Sequence, residues 1–161
     1  MLAPLADRNR VRIELEAKDG EIPIRADQNQ IAQALTNVLI SGIQAMRDGG
    51  ELLVRVGYRE AQPPPDVDGS AGRFVCIEVT DQGHGIPAGD VAHIFEPFFT
   101  TKEVGEGSGL GLAVAYGIVR EHEGWIAVES EVGRGSRFSI YLRPPGLDKG
   151  GDSWNQSPAA S

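Results

Sequence analysis

The sequence holds one cysteine, Cys76, so no disulfide can form within the chain. That excludes a disulfide-built scaffold and fits a reducing, cytoplasmic compartment. Cys76 lies in the apolar run 74–77, which predicts a buried structural thiol rather than a reactive one. No secretory leader pattern opens the sequence. The one long stretch without charge, 28–46, carries eight polar side chains and is excluded as a membrane span. Basic charge is scarce: 15 Lys and Arg stand against 23 Asp and Glu, a net charge of −8. A nucleic-acid partner held on a basic surface is therefore not expected. The sequence Gly-x4-Gly-Lys-Ser/Thr does not occur, which removes the P-loop fold from consideration.

What is present suits one domain of 161 residues with ordinary apolar content. Residues 1–10 read as a remnant of an upstream segment. Alternation predicts strands over 11–16, 22–26, 51–58, 73–80, 125–128 and 138–142. Asp27 is an expected N-cap, with a helix following to about Arg47 and stopped by Gly49 and Gly50. A second helix is expected over 110–121, and a short helical turn over 89–95. Residues 60–72, with Pro63, Pro64 and Pro65, read as an irregular surface loop that the fold can spare. Residues 144–161, rich in Gly, Pro, Ser and Asp, read as a disordered tail. The class is α+β: a two-layer α/β sandwich, with a mixed, mostly antiparallel sheet and about three helices on one face.

Two patterns carry chemistry. The stretch 81–112 holds seven of the 21 glycines, clustered at its two ends. Each glycine costs backbone entropy and packs no side chain, so clusters mark turns or backbone that must approach a ligand. The second cluster runs into a helical pattern, which sets free N–H groups and a helix N-terminus beside the loop, an anion site. Within 81–112 the only Lys or Arg is Lys102, against Asp81, Asp90, Glu96, Glu103 and Glu106. A bound phosphate would depend on backbone N–H groups and a divalent cation. The second pattern lies on the 28–46 helix. Ile31, Leu35, Val38, Gly42 and Met46 form an apolar stripe, while Gln30, Gln33, Asn37, Ser41 and Gln44 form an uncharged polar one. A solvated face normally carries Lys and Glu, so this stripe reads as the half-buried wall of a cleft.

Five motifs then fall in order on the expected elements. They are Asn37 with Ser41 on the helix; Asp81-Gln82-Gly83-His84-Gly85-Ile86-Pro87; Phe95-Glu96-Pro97-Phe98-Phe99-Thr100-Thr101-Lys102; Gly107-Ser108-Gly109-Leu110-Gly111-Leu112; and Gly133-Arg134-Gly135-Ser136-Arg137-Phe138. Together they resemble the N, G1, F, G2 and final glycine boxes of the catalytic, ATP-binding domain of bacterial sensor histidine kinases, of the nitrogen-regulator type. That superfamily also holds gyrase, Hsp90 and MutL ATPases and has the Bergerat fold. The resemblance runs from about residue 11 to 143. It implies ATP and Mg²⁺ as cofactors. It implies that Asp81 reads the adenine amine, with Gly83, Gly85 and Ile86 shaping the base pocket and Ser136 beside it. Residues 96–108 would be a lid, anchored by Phe95, Phe98 and Phe99, with Lys102 near the phosphates. Gly107, Ser108, Gly109, Leu110, Gly111 and Leu112 would hold phosphates on backbone N–H groups. Asn37 and Lys102 would be catalytic, and Asn37 and Ser41 would hold the metal.

The chain departs from the family pattern at Ser41-Gly42, where Asn-Ala is usual. A serine hydroxyl reaches less far than an amide oxygen, which leaves a degenerate nucleotide-binding module as an alternative. A serine kinase of the anti-sigma-factor type is another. His84, His93 and His122 lack the helical His-Glu/Asp setting of a phosphoacceptor. The resemblance therefore implies transfer of the γ-phosphate to a histidine on a separate dimerisation domain, with a response regulator downstream. It implies no nucleic-acid partner and no membrane contact by this domain.

Overall fold

The apolar stripe around Ile31, Val38 and Met46 decides how the layers meet. In a computed structural model, which describes residues 2–17, 20, 22–24, 26–99 and 109–145, it lies on helix α2 (Gln28–Ala45). Asp27 caps that helix: its Oδ1 accepts from the N–H groups of Asn29 at 3.0 Å and Gln30 at 3.2 Å. The helix ends at Ala45 with Met46 as C-cap, two residues earlier than expected. Val38 and Ile43 are fully buried. Each such side chain contributes roughly 1.5–3 kcal/mol.

That stripe packs on a five-stranded sheet made of β1 (Val11–Ala17), β2 (Gly50–Ala61), β3 (Gly72–Thr80), β4 (Trp125–Glu131) and β5 (Gly135–Leu142). The order is β1-β2-β3-β5-β4, with β1 and β2 parallel and the other pairs antiparallel. Register puts Val54, Val79, Phe138 and Val128 in one row across four strands, and Val56, Ile77, Ile140 and Ile126 in the next. These rows face the helices and join one core with Ile31, Val38 and Ile43 of α2. Ala115 and Val119 of α4 (Gly111–Glu121) complete it. Between β3 and α4 lies one more short helix, α3 (Ala88–Val91). The fold is thus a two-layer α+β sandwich. His122 ties the two long helices together. Its Nδ1 lies 2.8 Å from the Ile118 carbonyl, and its Nε2 accepts from the Asp27 N–H at 3.1 Å. Both ring nitrogens are thereby engaged in structure.

The structure corrects four expectations. Residues 2–9 are helix α1 (Leu2–Asn9), which makes four helices among the described residues rather than about three. Its Ala6 is buried, Leu2 and Leu5 pack on the core, and Asn9 Nδ2 donates to the Ile43 carbonyl at 3.1 Å. Residues 22–24 form no strand. The neighbour that β1 accepts is β2, and Pro23 lacks the donor a ladder would need. Ile22 and Ile24 pack against the core without pairing. Strand β2 runs on to Ala61 and β4 to Glu131, past the expected ends. The fourth correction is the loop between β2 and β3. Val67 is 8% exposed and packs with Phe74 and Trp125 on the sheet face away from the helices. Trp125 meets Phe74 edge-on at 4.8 Å and stacks on Tyr141 at 4.6 Å. Arg120 of α4 holds the loop, with Nη1 on Asp66 Oδ2 at 2.7 Å and Nη2 on the Asp66 carbonyl at 2.9 Å. Cys76 is buried on this same face, and burial pushes its thiol pKa up, as a structural cysteine requires. Of the tail, residues 146–161 lie outside the described residues.

Val67 therefore behaves as core although it sits in a loop. Val67→Ala is expected to lower stability by about 2 kcal/mol, from two lost methyls and the cavity they leave. Urea unfolding measures this, and a midpoint equal to wild type would show the loop to be dispensable after all.

Candidate functional site

A cleft of about 270 Å³ opens between α2, the end of β3 and the start of α4. Helical spacing puts Asn37, Ser41 and Gln44 on one face of α2, and all three line the cleft, with Ile40 between them. Gln30 and Gln33, nearer the start of the same stripe, are exposed. The Asn37 amide donates through Nδ2 to the Gly111 carbonyl at 3.0 Å, a bond from α2 to the first residue of α4. Its donor end is committed there, which leaves the amide oxygen as the end that serves the cleft.

Asp81 follows β3 and is 3% exposed. Its Oδ1 accepts from Gly83 N–H at 2.8 Å and from Ser136 N–H at 3.2 Å, while its own N–H donates to the Ser136 carbonyl at 2.9 Å. These bonds lace the end of β3 to the start of β5 and fix the carboxylate. Gly42 lets α2 pack closely on Leu52 of β2 beside it. A Cβ there would come within 2.7 Å of Leu52 Cδ1 and 3.6 Å of Asp81 Cβ. The loop after Asp81 runs between the end of α2 and the β4–β5 turn, too close for side chains. A Cβ on Gly83 would meet the Ala45 carbonyl oxygen at 2.5 Å. One on Gly85, whose φ is 76°, would meet the Glu131 carbonyl oxygen at 2.2 Å. His84 N–H donates to the Ala45 carbonyl at 3.2 Å, and Ile86 N–H to Ser130 Oγ at 2.7 Å.

The third wall is the N-terminus of α4. Its cap residue is Leu110, which gives no side-chain cap hydrogen bond, and the first turn carries no acidic residue. The first backbone N–H groups of α4 and the positive end of the helix dipole border Gly109, Gly111 and Leu112, all of which line the cleft. An anion fits that end. Apolar closure comes from Ile86, Ile94, Phe99 and Phe138.

Of the residues expected at the site, Asn37, Ser41, Asp81, Gly85, Ile86, Gly109, Gly111, Leu112 and Ser136 line one cleft. Gly83 and Leu110 do not line it: Gly83 braces the carboxylate, and Leu110 is 38% exposed above α4. Lys102, Gly107 and Ser108 lie outside the described residues, as does most of the expected lid. The three phenylalanines divide. Phe95 stacks on Tyr116 at 5.0 Å and meets Phe138 edge-on at 6.4 Å, an anchor. Phe99 lines the cleft, whereas the Phe98 side chain is 73% exposed at φ 68°, and it is the Phe98 backbone N–H that makes a contact, donating to the Gly109 carbonyl at 2.8 Å. Sequence reasoning missed Ile40, Ala45, His84, Ile94 and Phe138 as lining residues. Two had a signal: Ile40 follows Asn37 by three on a helix, and Phe138 follows Ser136 by two on a strand. Gln44 was visible in the polar stripe.

Comparisons with known proteins agree on one family. Residues 26–146 match the family described as histidine kinase-, DNA gyrase B-, and HSP90-like ATPase. The Sensor kinase CckA of Brucella abortus (strain 2308) is 39% identical over 86% of this chain, and the chain covers 16% of that protein. The Sensory histidine kinase/phosphatase NtrB of Rhodobacter capsulatus is 40% identical over 78% of this chain, and the chain covers 35% of it. Among solved structures, full-length ShkA in complex with AMPPNP is similar at a TM-score of 0.69 and 25% identity. The likeness covers 88% of this chain and 27% of that one. The chain thus spans between 16% and 35% of the length of these relatives.

One titrating group adjoins the site. His93 Nδ1 lies 2.6 Å from Glu96 Oε2, and its ring is 5.9 Å from that of Phe99. The hydrogen bond to Glu96, and then the Glu96 and Asp90 charges, hold His93 above the ordinary value of 6.5. The raised value means that pairing stabilises the fold below about pH 6.5 and fades as pH rises through the folded pKa. NMR titration is expected to place His93 above its ordinary value in the wild type and to bring it down in Glu96→Gln. An identical midpoint in both proteins would refute the pairing.

Proposed function

The chain belongs to the histidine kinase-, DNA gyrase B-, and HSP90-like ATPase family, as an ATP-binding catalytic domain of the sensor histidine kinase type, and from that premise we propose that it transfers the γ-phosphate of ATP to a histidine on a separate dimerisation domain. The observation that carries this reading is the opposition, across one cleft, of a fixed buried carboxylate and a helix N-terminus whose cap residue, Leu110, gives no side-chain hydrogen bond. An ionised carboxylate only accepts hydrogen bonds, so Asp81 suits the exocyclic amine of adenine. The first turn of α4, with Gly109, Gly111 and Leu112 at the cleft, suits the phosphates. Ile86, Ile94, Phe99 and Phe138 enclose the base between them. AMPPNP in the ShkA structure is an ATP analogue, which supports the assignment for this chain. Gly107, Ser108 and Lys102 are assigned to the phosphates with it, and Ser136 to the base.

The donor set at the phosphate end fits Mg²⁺. Asn37 offers an amide oxygen and Ser41 a hydroxyl, both hard ligands. Among the described residues no group of three His, Cys, Asp or Glu could hold a metal, in keeping with an ion held by few protein ligands and the phosphates. Held there by Asn37 and Ser41, Mg²⁺ would offset the negative charge that develops during transfer. Asn37 then has two roles, metal ligand and, through Gly111, support for the phosphate wall. With Lys102 it forms the catalytic pair. Transfer proceeds by positioning and electrostatics, with no covalent intermediate on this domain.

The histidines of this chain are otherwise engaged. His84 Nδ1 lies 2.7 Å from the Gly85 carbonyl, His93 pairs with Glu96, and His122 bridges two helices. The acceptor histidine is thus assigned to a partner domain, and a response regulator to the step after it. No described helix is long and apolar enough to cross a membrane. ATP as substrate and a lone buried cysteine favour a cytoplasmic site of action. Sensor kinases fill the names of the relatives reported, which leaves the serine-kinase reading without support.

Two experiments test the reading. In calorimetry the wild type binds ATP, and Asp81→Asn weakens it by about tenfold or more, as expected when a charged acceptor is replaced in a desolvated site. Ser41→Asn is expected to tighten ATP only when Mg²⁺ is present; equal or weaker affinity in that variant would remove Ser41 from the metal site. Labelled ATP, added with a cognate helical-hairpin domain, is expected to leave acid-labile label on histidine. Binding without label would favour a nucleotide-holding module over a kinase.

A further inference from the structure

Ser130 lies behind the base wall and belongs to none of the motifs. It stands on β4 directly opposite Ser136 of β5. Its Oγ makes three contacts: it receives the Ile86 N–H at 2.7 Å, and it lies 3.1 Å from the Gly135 carbonyl and 2.7 Å from Ser136 Oγ. Ser130 does not line the cleft, but Ser136 and Ile86, on either side of it, both do.

A serine hydroxyl has one proton to donate and two lone pairs. One lone pair of Ser130 is taken by Ile86. The Gly135 carbonyl can only accept, so Ser130 must give it the proton for that bond to exist. The second lone pair then receives the proton of Ser136. In this arrangement all three contacts are hydrogen bonds. In the reverse arrangement Ser130 donates to Ser136, the Gly135 carbonyl loses its bond from Ser130, and the Ser136 proton turns toward the cleft. The first arrangement makes one more bond within a half-buried group and is the stable one. Ser136, 6% exposed, therefore presents lone pairs to the cleft and no proton. Its neighbour is the Asp81 carboxylate, whose Oδ1 accepts the Ser136 N–H at 3.2 Å.

We propose that Ser130 is a positioning residue that sets base selectivity: by taking the proton of Ser136 it makes the wall beside Asp81 acceptor-only. Such a wall accepts the amine of adenine and repels the carbonyl that guanine carries at the same place. The proposal rests on the nucleotide-binding reading above and deepens it.

The test is calorimetric affinity for ATP and for GTP, in Mg²⁺ buffer, across the wild type, Ser130→Ala, Ser130→Thr and Ser136→Ala. The wild type is expected to prefer ATP. In Ser130→Ala the Ser136 proton is released to the cleft, and the ATP-to-GTP affinity ratio is expected to fall by about fivefold or more, the worth of one hydrogen bond made or lost. Ser130→Thr, which keeps the hydroxyl, is expected to restore the ratio. A purely structural Ser130 would weaken both nucleotides alike, so an unchanged ratio in folded Ser130→Ala overturns the proposal. Should that variant fail to fold, Ser136→Ala carries the test, since it leaves the bonds of Ser130 to Ile86 and Gly135 in place. It too is expected to lower the ratio, and an unchanged ratio there is equally fatal. A wild type that binds ATP and GTP equally overturns the selectivity proposal alone. One that binds neither overturns the nucleotide reading and the proposal with it.

Discussion

The hydrogen bonds between Asp81 and Ser136 hold the site and the sheet in one register. Asp81 gives its N–H to the Ser136 carbonyl and takes the Ser136 N–H on its side chain. The ladder of β3 and β5 ends just before, at Thr80 and Arg137. The side-chain bond thus continues the lacing one residue past the strand and turns it toward the cleft. A buried carboxylate is costly unless it is hydrogen-bonded, and two backbone donors meet that need while fixing its direction. Everything else in the cleft is placed relative to this point. Gly42 lets α2 pack on Leu52 beside it, Gly83 braces it, and Asn37 sets α4 opposite through Gly111.

The two faces of the sheet carry different duties. The face toward the helices holds the main core, and Phe138 and Ser136 of β5 line the cleft. The other face holds a smaller cluster of Val67, Phe74 and Trp125, and beside it a buried carboxylate, Glu78. Arg59 reaches Glu78 at 2.9 Å, with Arg55 at 3.8 Å and Arg137 at 4.0 Å. Pairing is what makes that burial tolerable. Among the described residues, none of those named on this face lines the cleft.

Much of this was legible in the sequence because its strongest signals are local. The Asp27 cap, the stripes of α2, the Asp81 loop and the entry into α4 each depend on residues a few positions apart. What was not legible depends on partners far along the chain. Helix α1 is held by Ile43, 34 residues from Asn9. The loop holding Val67 is pinned by Arg120, 54 residues beyond Asp66. The strand expected at 22–26 is absent at residues 22–24, where Ile22 and Ile24 pack against the core instead of joining the sheet, a choice no local pattern reveals. In the site the same division holds: Asp81 and Gly85 were marked by their own motif. Phe98 looked like its neighbours Phe95 and Phe99, and only the backbone, at φ 68°, turns it outward.

The two long helices show why the acidic balance of the chain does not oppose an anionic ligand. Helix α2 begins with its own cap, the Asp27 carboxylate, which satisfies two N–H groups. Helix α4 begins at Leu110, whose side chain can cap nothing, although a Ser, Asp or Asn there would add about 1 kcal/mol. A helix that forgoes its cap at a cleft leaves those groups for a ligand to satisfy. An anion at such a terminus gains up to about 2 kcal/mol from the dipole when partly buried. Attraction supplied by backbone N–H groups and a helix dipole requires no nearby lysine or arginine. Such fields act locally, and charges more than about 8 Å away are largely screened in water at physiological salt, so the net charge of −8 does not by itself exclude an anion there.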